Sequence, residues 1–115
     1  MERAEIIEPG FSTADAEFPN INMDEGDLVL RFLDWQERQR EVFFPDTVAF
    51  KWQMIETFIE GEKYDRSHVI TESKWLAEHV KQGEIGAQEE YKHYKFNFNG
   101  NGQLEVISNG FTVKM

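Results

Sequence analysis

From Asp27 onward the apolar side chains sort by odd and even position, and this alternation constrains the chain more than any other feature. Leu28, Leu30 and Phe32 alternate with Val29, Arg31 and Leu33, the spacing of a strand with one buried face, which predicts a strand over 27–34. The polar run Gln36-Glu37-Arg38-Gln39 suits a reversal, and a returning strand over 40–44 ends at Pro45, which has no N–H to donate. Val48, Phe50 and Trp52 then give a third strand over 47–53. Tyr94, Phe96 and Phe98 alternate with His93, Lys95 and Asn97, Asn99-Gly100-Asn101-Gly102 turns the chain, and Leu104, Val106 and Ile107 return. Asn109-Gly110 tolerates positive φ at both turn positions, so a last strand over 111–115 should complete a three-strand meander.

One segment carries helical signals. Thr71 reads as the N-cap of a helix over 72–82, with Glu72 at its positive end, Lys81 at its negative end and Gly83 as the stop. Trp75, Leu76, His79 and Val80 share one side, by which this helix should lie on a face of the sheet. Between 54 and 60 a helical turn and a continuing strand fit equally, and 61–66 reads as loop. The expectation is α+β: an antiparallel sheet of about five to seven strands with one main helix packed on one face. Its core is Leu28, Leu30, Phe32, Val42, Phe44, Val48, Phe50, Trp52, Tyr94, Phe96, Phe98, Leu104 and Val106. Residues 93, 95 and 97 fall on the wetter side.

The chain reads as a single domain over 1–115, with residues 1–26 an acidic, irregular covering arm that has room for one short strand. Its 115 residues can bury about two-thirds of their unfolded surface around one core. The formal net charge is −10, and residues 1–27 hold eight acids against Arg3 alone. That field repels phosphate backbones and anionic membranes, and it would steer in a basic protein partner. Without cysteine, disulfides, thiolate metal sites and cysteine nucleophiles are excluded. The start Met1-Glu2-Arg3-Ala4-Glu5 lacks the pattern of a signal peptide and no apolar run is long enough to span a membrane, so a cytoplasmic location is expected.

Tests for chemistry return little. His68, His79 and His93 match no metal-ligand spacing. Asn97, Asn99, Asn101 and Gly102 mimic the start of a calcium loop, but position twelve is Ser108 and the ligands are neutral amides, so a hairpin turn explains them. No nucleophile elbow, phosphate loop or dinucleotide fingerprint is present. Asp34 is the least arbitrary candidate acid, and a turn-capping role accounts for it. No catalytic, cofactor-binding or metal residue is assigned, and no cofactor is expected.

Recognition has one pattern. Val29, Leu33, Trp35 and Phe43 should gather on the face opposite the core, where an exposed aromatic anchor would bind a partner. A cover is expected there from the helix, through Trp75, Leu76 and Val80, or from the arm, through Ile6, Phe11 and Phe18. The protein-binding candidates are Trp35, Leu33 and Phe43, with Asp24, Glu25 and Asp27 as the acidic contribution.

At Asp34-Trp35, Phe44-Pro45-Asp46, Tyr91-Lys92-His93-Tyr94 and Leu104-Glu105-Val106-Ile107 the chain resembles short bacterial proteins of unassigned function, including immunity-protein-like domains of toxin systems. The likeness covers about residues 27–115 and carries over no functional residue. It implies a compact α+β protein that binds another protein. With no catalytic motif, an acidic imbalance and the Trp35 patch, the expected function is a non-enzymatic protein-binding or accessory domain, immunity-like or self-associating. The alternative is a small-molecule-binding protein or small enzyme with a pocket between helix and sheet, using His79 or His93 with a carboxylate.

Overall fold

The alternating rows do bury one face, and a second sheet covers it. A computed structural model describes residues 1–83, 85 and 90–114. In chain order its elements are β1 (Arg3–Ile7), β2 (Glu17–Asp24), β3 (Asp27–Leu33), β4 (Gln39–Phe44), β5 (Ala49–Gln53), β6 (Ser67–Thr71), α1 (Lys74–Lys81), β7 (Lys92–Phe98), β8 (Gly102–Ser108) and β9 (Thr112–Lys114). They form two antiparallel sheets, one ordered β1-β6-β7-β8-β5 and the other β2-β3-β4-β9. Leu28, Leu30 and Phe32 of β3 and Val42 and Phe44 of β4 meet Tyr94, Phe96, Phe98, Leu104 and Val106 of β7 and β8 in one core. Phe32 lies edge-on to Phe98 at 5.3 Å and Phe44 to Phe96 at 5.6 Å, the tilted geometry that aromatic quadrupoles favour.

The single sheet with a helix laid across it is thus replaced by two facing sheets. Period 2 reports that a face is buried and is silent about what buries it. The expected meander is also redirected. β7 and β8 form a hairpin, but β9 pairs with β4, Val42 opposite Val113, in the other sheet. Asn109-Gly110 therefore marks a crossing between sheets; Ser108 Oγ donates to the Gly110 carbonyl across this bend at 3.0 Å.

Residues 1–26 are no irregular arm. β1 pairs with β6 and β2 with β3, with a register shift between Glu17 and Asn20. Phe11 and Ala16, in the connection, complete the core. β6 has no apolar alternation in Ser67-His68-Val69-Ile70-Thr71, because its outward side carries buried His68. Val48, Phe50 and Trp52, expected inside, are only partly so; Phe50 is 39% exposed. Phe50 and Trp52 belong to β5, which lies at a sheet edge, and Val48 just precedes it.

The helix starts later than expected. Ser73 is the N-cap, its Oγ accepting from Leu76 N–H at 3.0 Å, while Glu72 has φ +54° and lies outside. Glu72 instead pairs with the N-terminal amine at 2.7 Å. α1 runs against the outer side of the first sheet beside β7 and has no fully buried residue. No helix of the described residues is long and apolar enough to cross a membrane.

Candidate functional site

The outer side of the first sheet is polar and yet sealed. His93, Lys95 and Asn97 of β7 and Gln103 and Glu105 of β8 all point there and all are buried, which corrects the expected wet placement of His93, Lys95 and Asn97. The chain from 54 to 66 folds over them, and burial without water obliges each polar group to find a partner.

Glu62 is the centre of this face. Its Oε1 accepts from Lys95 Nζ at 3.0 Å and Ile59 N–H at 3.0 Å, and its Oε2 from Asn97 Nδ2 at 2.7 Å and Gln103 Nε2 at 3.1 Å. The Lys95 and Glu62 side chains are 6% and 0% exposed, so this is a desolvated ion pair. Around it the sheet grips the backbone of the covering segment. Gln103 Oε1 accepts from Thr57 N–H at 3.0 Å, Lys95 Nζ and Gln103 Nε2 donate to the Thr57 carbonyl, and Asn97 Nδ2 donates to the Lys63 carbonyl at 2.7 Å. Lys63 N–H donates to His68 Nε2 at 3.0 Å. Burial holds the His68 imidazole below its ordinary pKa; Nε2 accepts, so the ring proton belongs on Nδ1, facing the Lys95 carbonyl. At the far end Ala4 N–H donates to the Glu60 carbonyl, and Gly61, at φ +88°, comes so close that a Cβ would stand 2.2 Å from the Ala4 oxygen. Only glycine fits there.

What this anchoring displays is apolar. Met54 is 71% exposed, Ile55 81%, Phe58 49% and Tyr64 59%. A shallow hollow is lined by Phe58, Glu62, Lys63 and Tyr64. The segment expected to continue as helix or strand is neither; Met54, Ile55 and Phe58 face solvent. Its spacing of apolar residues was uninformative because no face of it is buried. The signal available was indirect: polar residues at alternate positions in two neighbouring strands imply either water or a polar cover.

A second cluster lies under α1. Ser73 Oγ and His93 Nδ1 are 2.7 Å apart, and His93 Nε2 is 2.7 Å from Glu105 Oε1. Burial alone would raise the Glu105 carboxyl, but the His93 hydrogen bond and the charges of Lys51 and Lys95 hold it below its ordinary range. The neutral ring satisfies every member: Leu76 N–H donates to Ser73, Ser73 O–H to Nδ1, and Nε2–H to Glu105. Serine, histidine and glutamate in line resemble a nucleophile relay, but Ser73 is buried, its oxygen already caps the helix, and Trp75 packs edge-on against His93 at 5.0 Å. Of the three surface hollows described, none is lined by these residues. The relay fastens the start of α1. His79 is half-buried on the helix, against Trp75. Among the described residues no group of three or more His, Asp or Glu could hold a metal ion.

The residues singled out from sequence lie elsewhere. Val29, Leu33 and Phe43 sit on the outer side of the second sheet, with Val29 directly opposite Phe43, and Trp35 projects from the β3–β4 turn. Phe43 and Trp35 are exposed. The expected cover is not there: α1 lies on the other sheet, Phe11 enters the core, and Phe18 is exposed. Asp24, Glu25 and Asp27 occupy the opposite end of β3 from Trp35, roughly 20 Å away at 3.3 Å per residue, so the structure does not bring them together. Asp27 Oδ1 accepts from Asp46 N–H. Asp34 caps the β3–β4 turn: Oδ1 accepts from Gln36 and Arg38 N–H, Oδ2 from the Arg38 and Arg40 side chains.

No family model, curated protein or solved structure matches the chain.

Proposed function

We propose that this is a non-enzymatic protein-binding domain whose recognition element is the segment 54–64. The observation that carries the reading is the pairing of a buried ionic anchor with an apolar display. Ordering a loop costs about 1–2 kcal/mol per residue, and desolvating Lys95 and Glu62 costs several kcal/mol per ion. A loop serving only as a cover would turn Ile55 and Phe58 inward. Here the Glu62 side chain and the backbone of Thr57 and Lys63 are held by the sheet, and Met54, Ile55, Phe58 and Tyr64 face out, in a conformation already set before a partner arrives, which lowers the cost of association. The resemblance to immunity-like domains points the same way, and the net charge of −10 favours a basic partner over a second copy.

The test is a photo-reactive amino acid placed at position 58 in the producing cell. One discrete adduct, lost on Ile55→Ser/Tyr64→Ser and much weaker from position 114, is expected. Equal, diffuse adducts from both positions would remove the reading.

A further inference from the structure

Resting on the protein-binding reading, the backbone of β5 names what the partner presents. Asn101 N–H donates to the Phe98 carbonyl at 2.8 Å, so Phe98, Phe96 and Tyr94 turn their backbone groups toward β8. Asn97 N–H, in the alternate set, donates to Arg66 on the β6 side. By the same alternation Gly102, Leu104 and Val106 face β7, while Gln103, Glu105 and Ile107 face β5; Val48 N–H on the Ile107 carbonyl agrees. Gln53, Lys51 and Ala49 are their partners, which leaves the N–H and C=O of Phe50 and Trp52 directed off the edge, where among the described residues the sheet order has no further strand.

The other edges are blunted by the devices that prevent strand pairing. β1 is bridged by Glu60, β2 carries Pro19 and a register shift, and β9 has three residues. β5 has only Lys51, and its ammonium is drawn back over the Trp75 ring at 4.4 Å and toward Glu105 at 3.9 Å. Beside the backbone groups lies the Phe50 ring, more than a third exposed, and Met54 and Ile55 follow directly. Acids gather at one end of the edge: Asp46 precedes β5, and the Asp24-Glu25-Gly26-Asp27 turn is tied to the chain entering it by Thr47 N–H on the Gly26 carbonyl, whereas Glu56 turns back to accept from Gly100 N–H at the β7–β8 turn.

We infer that β5 accepts an extended, basic segment of a partner protein as an additional antiparallel strand. Backbone bonds at Phe50 and Trp52 hold it, an apolar residue covers the Phe50 ring, and cationic residues meet the acids at the Asp46 end. A second copy is disfavoured, since it brings another net charge of −10 and sets Lys51 against Lys51.

An alternating Lys/Val nonapeptide and its Glu/Val counterpart would be titrated into the ¹⁵N-labelled protein. The expected result is protection of the Phe50 and Trp52 amides by the basic peptide and at least tenfold weaker binding of the acidic one. Phe50→Pro removes an outward N–H that bonds to none of the described residues, and Asp24→Lys/Glu25→Lys leaves the backbone intact; each should weaken the basic peptide several-fold. Equal binding of both peptides, or shifts that bypass β5, would overturn the inference. So would Phe50→Pro-sensitive self-association in light scattering, which would assign the edge to a second copy. If the adduct from position 58 forms undiminished in Phe50→Pro, strand addition fails while the recognition loop stands; if no adduct forms at all, the loop reading fails.

Discussion

Glu62→Gln changes one oxygen to an amide nitrogen and removes one buried charge while keeping the shape. In the native protein both carboxylate oxygens receive donors, four in all. Whichever way the new amide turns, its NH₂ faces two of them: Lys95 Nζ with Ile59 N–H, or Asn97 Nδ2 with Gln103 Nε2. Rotation of Asn97 offers no escape, because its Nδ2 is also committed to the Lys63 carbonyl, even though its Oδ1 has no partner. Lys95, 6% exposed, then loses the carboxylate it contacts. Breaking a buried pair in this way costs about 3–5 kcal/mol; at a urea m-value of about 1.5 kcal/mol/M the midpoint falls by roughly 2–3 M. Urea unfolding followed by tryptophan fluorescence measures it, and amide exchange at Thr57 and Lys63 locates it. Lys95→Met combined with Glu62→Gln should recover at least half the loss, since no orphan ammonium remains. A cost below about 1 kcal/mol, or a double variant as unstable as the sum of the singles, would refute the claim that a desolvated pair anchors the loop.

Two further outcomes concern pH. Burial pushes the Asp34 carboxyl up, but hydrogen bonds from Arg38 and Gln36 N–H and from the Arg38 side chain more than offset it and hold it below the usual range. Its contribution is therefore present in full above the unfolded value near pH 4 and is lost as pH falls through the native value; Asp34→Asn should flatten that acid limb in pH-dependent urea unfolding, and an unchanged limb contradicts the assignment. For His68, a native pKa lowered by burial means that the unfolded chain takes up the proton first. Stability should fall as pH drops below about 6.5, by at most about 1.4 kcal/mol per pH unit, and the slope between pH 7 and 5 should shrink in His68→Gln.

Local physics made much of the fold legible. The β3–β4 hairpin, the β7–β8 hairpin and ten of thirteen expected core positions follow from period 2 and turn residues, which depend only on neighbours along the chain; Val48, Phe50 and Trp52 fell short because edge position is a property of sheet order. Ser73 displaced Thr71 as the cap since His93 and Leu76 were there to share its hydroxyl. β6 and the segment 54–64 were invisible for a related reason: their polar and apolar patterns are decided by contacts with Lys95, Asn97 and Gln103 of a distant hairpin.

The order of residues alone determined that strands would dominate, where several of them turn, and that the chain carries a strong negative charge. Which sheet each strand joined, that a polar face would be sealed by an ion pair, and that 54–64 would present its apolar side chains outward were settled by tertiary packing. Burial and hydrogen-bond satisfaction are shared among segments far apart in the chain, and no single segment encodes its share.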